Sequence, residues 1–244
     1  MSESAALAEF ALRMGDSALI LGHRLSEWTG HAPVLEEELA SANVALDLLG
    51  QAQLWLSLAG ELEGRGRSAD DLAYLREPSA YRNLLLAEQL NGDFGHTLVR
   101  QFLFDAWNHL LLDALCAHPH ARVAEIAEKA SKEVRYHLER SSDWVVRLGD
   151  GTDESHRRVG AALEILWPYT GELFVLSASC PAATIVIDAR WRELVDMVLQ
   201  RATLDMPNDE WAQSGGIDGR HTEHLGKLLA EMQSLQRAYP GASW

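Results

Sequence analysis

The chain has 244 residues, 47% of them hydrophobic and 23% charged, and a net charge of −15. That is enough chain for one large soluble domain or two small ones, with a substantial core. So acidic a balance lacks the basic footprint of nucleic-acid binding and disfavours docking on an anionic membrane.

Helical periodicity starts at once. Leu7, Phe10, Met14, Leu21, Leu25 and Trp28 recur at steps of three, four or seven, until Gly30 and Pro33 punctuate the chain. On this first helix Glu9, Arg13, Asp16, His23 and Glu27 share a face with Ile20, which reads as a solvent face with ion pairs four residues apart. A second helix is expected from about Val34 to Leu62. It has two apolar stripes: Leu35, Leu39, Ala42, Leu46 and Leu49 on one side, and Val44, Leu48, Gln51, Trp55, Leu58 and Leu62 on the other. A surface helix needs only one such stripe, so two imply packing on both sides, within a bundle or against a partner.

A Gly-containing loop from Gly64 to Asp71 follows, then short helices over Leu72–Arg76 and Pro78–Leu90. Asn91-Gly92-Asp93 is a turn with Asp93 as N-cap, opening a long helix to Ala117 on which Leu98, Gln101, Asp105, Asn108 and Leu112 share a face. Apolar neighbours surround Asp105, and a buried carboxylate there needs a cation, donors or a proton. His118 and His120 flank Pro119 in a turn expected to be exposed. The next helix runs to Leu148, with Val123, Ile126, Ala130, Val134, His137, Ser141, Trp144 and Leu148 inward. After a turn at 149–153 come a helix to Ser179 kinked at Pro168, a helix from Asp188 to Asp205, a loop from Pro207 to Gly219, and a last helix from Thr222 to Ala238, with Thr222 as its N-cap. Strand alternation and internal repeats are not seen.

The expected class is thus all-α, a single domain over 1–244. Cys116 and Cys180 form no Cys-x-x-Cys, and the acidic start has no apolar leader run. Both suit a reducing cytoplasmic compartment. Leu173–Ile187, the longest apolar stretch, is interrupted by Pro181 and too short to span a bilayer. Trp211 and Trp244 lie in irregular segments and suit partner anchoring. Arg65 with Arg67, and Arg157 with Arg158, read as solvated charges. His221-Thr222-Glu223-His224 lacks the His-Glu-x-x-His spacing of a zinc site.

One comparison bears on chemistry. Ferritin-like di-iron bundles take a Glu from each of two helices and a Glu-x-x-His pair from each of two others. Here Glu133-Val134-Arg135-Tyr136-His137 keeps the His with Val134 in the Glu position, and Asp47-Leu48-Leu49-Gly50-Gln51 has Leu48 and Gln51 for the pair. Glu27, Gln51, Asp105 and His137, from different helices, read either as a hydrogen-bonded polar cluster or as a reduced metal site of Glu27, Asp105 and His137.

Longer stretches are distinctive: Leu25-Ser26-Glu27-Trp28-Thr29-Gly30-His31-Ala32-Pro33, Leu46–Ala52, Asn83-Leu84-Leu85-Leu86, Lys132–Leu138, His221–Gly226, and the closing Leu229–Gln233, Leu235–Arg237 and Pro240–Trp244. On these the chain resembles, over nearly its whole length, the C-subunit family (PaaC type) of the bacterial phenylacetyl-CoA epoxidase, also called ring-1,2-phenylacetyl-CoA monooxygenase. The resemblance implies a ferritin-like helical bundle with additional C-terminal helices. It implies a non-catalytic structural subunit of a cytoplasmic complex, scaffolding a homologous catalytic subunit. That subunit holds the di-iron centre and epoxidises the aromatic ring with O2, using electrons from NADPH through a separate reductase. Its matching stretch reads Asp-Glu-Ala-Gly-His. Glu27, Asp105 and His137 then fall on ligand positions retained in type, and Leu48, Gln51 and Val134 on vestigial ones. No catalytic residue, metal or cofactor is expected in this chain. The expected partners are the catalytic and other subunits, with self-association open when the chain is alone. The alternative is an autonomous metal-dependent oxygenase.

Overall fold

The computed structural model describes residues 2–181, 186–209 and 211–242. Among them the chain is all-α, without a strand. It divides into two compact units, Met1–Gln89 with Gly215–Trp244, and Leu90–Ser214.

In the first unit, α1 (Glu3–Ser26) and α2 (Leu35–Glu63) pack antiparallel along their length. Glycine makes the close approach possible: a Cβ on Gly15 would come within 2.7 Å of the Leu56 side chain, and one on Gly22 within 3.2 Å of the Ala45 carbonyl. Ser2 caps α1, and Gly64, at φ 67°, ends α2 in the left-handed conformation that glycine adopts without strain. Val44, Leu48, Gln51, Trp55 and Leu58 are buried, as the inner stripe requires. The opposite stripe is different: Leu35, Leu39 and Leu46 are exposed.

Beyond α2 lie α3 (Ala69–Tyr74), a 3-10 turn at Pro78–Ala80 and α4 (Leu85–Glu88). The continuous helix expected from Pro78 to Leu90 does not form. Its backbone donors are taken by α1 side chains instead: Arg82 N–H donates to Asp16 Oδ2 at 2.8 Å and Leu84 N–H to Ser17 Oγ at 3.1 Å. Returning to this unit, α10 (Glu223–Met232) and α11 (Ser234–Ala238) divide the expected last helix, and Thr222 is the N-cap.

The second unit is built on α5 (Phe94–Leu115) and α6 (Ala121–Gly149), also antiparallel, with α7 (Asp153–Leu166), α8 (Gly171–Ala178) and α9 (Asp188–Arg201) around them. Asp93 caps α5 through His96 N–H. On α6 the inward stripe holds from Val123 to Ser141, while Trp144 is half-buried and meets Phe94 edge-on with centroids 5.3 Å apart. Three indoles fix the packing by donating to Leu103 O (Trp191), Ser177 Oγ (Trp107) and Asp209 Oδ1 (Trp167).

Two boundaries differ from expectation for identifiable reasons. The helix through Pro168 breaks into a 3-10 turn, Trp167–Tyr169, before α8 resumes. The α9 helix stops four residues early because Thr203 turns left-handed (φ 56°), so that Leu204 N–H closes on Leu199 O at 2.9 Å. By length and composition one described segment, Asp153–Ala178, could cross a membrane, but half of its most apolar window is buried within the fold, as in many core helices.

Candidate functional site

Each unit holds part of the residue set singled out above. In the first unit, Leu48 and Gln51 lie on the buried face of α2. Glu27 is the C-cap of α1. Its side chain is 41% exposed and accepts from Arg24 Nη1 at 2.7 Å. From the close approaches of Gly15 to Leu56 and of Gly22 to Ala45 and Leu49, Glu27 stands roughly level with Ala42, about 9 Å before Leu48 along α2.

In the second unit, Asp105, Val134 and His137 are all buried. Gln101, one turn before Asp105 on α5, donates from Nε2 to Asp105 Oδ1 at 2.6 Å, and Ser141 Oγ on α6 meets Oδ2 at 2.9 Å. His137 lies one turn before Ser141 on the same face. Burial pushes the Asp105 carboxyl up to about 7, against the opposing pull of the Ser141 and Gln101 hydrogen bonds and the Arg140 charge. The bond to Ser141 suits either protonation state, since the Ser141 hydroxyl also lies 3.4 Å from Leu138 O and can turn its hydrogen there. Asp105 needs no cation to be tolerated: a proton serves.

Among the described residues, no group of three or more His, Cys, Asp or Glu side chains is placed to hold a metal ion. Burial also holds the His23 and His109 imidazoles below the ordinary histidine value, for His109 against the opposing pull of the Asp113 carboxylate.

The densest polar network in the first unit is one the sequence did not announce. Fully buried Glu88 accepts from Asn83 Nδ2 at 2.9 Å and Thr222 N–H at 2.6 Å, and pairs with His221 Nδ1 at 2.9 Å. His221 Nε2 faces the Tyr81 carbonyl at 3.1 Å. Arg24, also buried, donates to the carbonyls of Glu88 and His224. A few residues away, Asp16 is locked to Arg76, and Gln233 donates to Tyr81 Oη and to the Arg76 carbonyl. Asp16 therefore corrects the reading of that α1 face as solvated: it is fully buried. The available signal was a single acid, Glu88, directly after the apolar run Leu84–Ala87. The Asn83 and His221 stretches, distinctive in sequence, meet here.

His118 is likewise buried rather than exposed, its Nε2 2.9 Å from the Pro181 carbonyl and its Nδ1 accepting from His120 N–H. The arginine clusters are engaged on the surface, Arg67 with Glu63 and both Arg157 and Arg158 with Glu154. Trp211 is exposed; Trp244 lies outside the described residues.

Comparison with known proteins follows the same lines. The family described as phenylacetic acid catabolic protein matches residues 1–244. A curated relative, the C-subunit of 1,2-phenylacetyl-CoA epoxidase from Escherichia coli (strain K12), is 45% identical over 246 residues, covering 98% of this chain and 99% of the relative. The all-α architecture with long helices is consistent with a ferritin-like bundle in that family.

Proposed function

We propose a function from one established premise: the chain belongs to the phenylacetic acid catabolic protein family. It is a subunit of a phenylacetyl-CoA 1,2-epoxidase of phenylacetate catabolism. Within that complex it acts as a structural partner, and the di-iron centre belongs to a homologous catalytic subunit. On this reading 1–244 is a single ferritin-like domain in a cytoplasmic assembly.

The observation that supports it best is the hydrocarbon at Leu48 and Val134. Both are fully buried, and neither offers a donor atom where a ferritin-like centre takes a carboxylate. Gln51 supplies an amide in place of an imidazole, and both oxygens of Asp105 are already hydrogen-bonded to Gln101 and Ser141. This donor set does not fit a pair of iron ions. The alternative of an autonomous oxygenase asks Glu27, Asp105 and His137 to serve one cation. Glu27 is instead an exposed ion-pair partner of Arg24, which does not favour it.

A structural partner contributes by mass action: binding the folded catalytic subunit raises that subunit's stability. Reconstitution tests this. With the reductase, NADPH, O2 and phenylacetyl-CoA supplied, this chain alone should give no epoxide, while the pair co-purifies in a fixed ratio and turns over. Turnover by this chain alone, or full activity and stability of the catalytic subunit without it, would overturn the reading.

A further inference from the structure

Along α2, Leu35, Leu39, Ala42, Leu46 and Leu49 recur at alternating steps of four and three; Leu35, Leu39 and Leu46 face outward, whereas Leu49 lies against Gly22 of α1. That average of 3.5 is the heptad spacing that keeps a seam turned toward a second helix. Leu35, Leu39 and Leu46 are 66%, 57% and 65% exposed. Single exposed leucines are ordinary; a heptad row on the helix whose other face is already buried is a packing surface awaiting its counterpart. Glu36 and Glu38, in the first turn of α2, occupy the heptad positions beside this seam, where charges meet those of the partner helix.

We propose that this seam docks a helix of a different chain, one with an apolar heptad strip flanked by Lys or Arg. A second copy of this chain is a poor occupant. Parallel packing would set Glu36 and Glu38 against their own equivalents. In either orientation the two copies carry a net charge of −15 each, which opposes their approach. The inference rests on the proposed subunit role and names the face of the chain that serves it.

The test uses the full-length chain with the proposed catalytic subunit, read by size-exclusion chromatography with light scattering and by titration. Leu39→Glu/Leu46→Glu should weaken the pair on the order of 100-fold or more, as loss of two buried anchors does. The free variant should keep its helical circular dichroism and melting temperature, because both side chains are exposed in the chain alone. Glu36→Lys/Glu38→Lys should slow association at low salt, with the difference shrinking as salt rises. If the wild-type pair forms and the variants bind as well, the seam is wrong while the subunit role stands. If the wild-type pair does not form, both fall. A free wild-type dimer that Leu39→Glu/Leu46→Glu dissolves would make a second copy the occupant and overturn the proposal.

Discussion

Asp16→Ala is expected to cost about 3–5 kcal/mol of stability, the range found when one partner of a buried ion pair is removed. Asp16 is fully buried, and three donors converge on its carboxylate: both terminal nitrogens of Arg76 and the Arg82 N–H. Without Asp16, the Arg76 guanidinium stays buried against the Leu72 and Ala80 carbonyls and the Tyr81 ring, its carboxylate partner gone. The loss should spread along the chain. Tyr81 stacks on Arg76, and Gln233 donates to both the Arg76 carbonyl and the Tyr81 hydroxyl. Residues 76–84 and the end of α10 should therefore become protease-sensitive together. Urea denaturation and limited proteolysis measure this. Asp16→Leu/Arg76→Met separates charge from packing, and should recover most of the loss because it leaves no unpaired ion. An Asp16→Ala variant within about 1 kcal/mol of wild type would mean that the pair is not buried as described.

The second large effect is a pH dependence centred on Asp105. Its carboxyl is raised to about 7 in the fold, so the native state holds a proton that the unfolded chain releases near pH 4. This contribution to stability is complete below about pH 4 and is lost as pH climbs through 7. A shift of about three units corresponds to roughly 4 kcal/mol across that window. Asp105→Asn keeps the shape and removes the titration. The variant should be more stable than wild type at pH 8 and lose the advantage near pH 5. Its amide can face the Ser141 hydroxyl, which is free to turn toward Leu138 O. Denaturation midpoints of both proteins from pH 5 to 8 provide the measurement. Parallel curves would show that Asp105 is ionised throughout.

Much of the architecture could be read from periodicity and caps. The spans of α2, α5 and α6, the caps at Asp93 and Thr222, and the inward turn of Val134, His137 and Asp105 all follow from local spacing and local hydrogen bonding. What escaped depends on residues far apart in sequence. Asp16 looks like a surface acid until Arg76, sixty positions on, covers it. Glu88 looks like the end of a short helix until His221 and Thr222 arrive from the other end of the chain. His118 looks like a turn residue until the Pro181 carbonyl meets its ring. Periodicity tells which way a side chain points, not what comes to meet it. The outer stripe of α2 shows the same limit from the other side: its regular spacing is plain in sequence, but only the fold shows that Leu35, Leu39 and Leu46 are exposed while Leu49 packs on α1.

The central claim is that this chain supports di-iron chemistry without holding the metal. The most direct measurement is the iron content of the separated chains, by elemental analysis and Mössbauer spectroscopy, after purification of this chain alone and of the pair formed with the catalytic subunit. The account predicts iron at about two per catalytic subunit and none at stoichiometric level in this chain in either preparation. Two coupled irons per molecule of this chain, lost on His137→Ala, would contradict it.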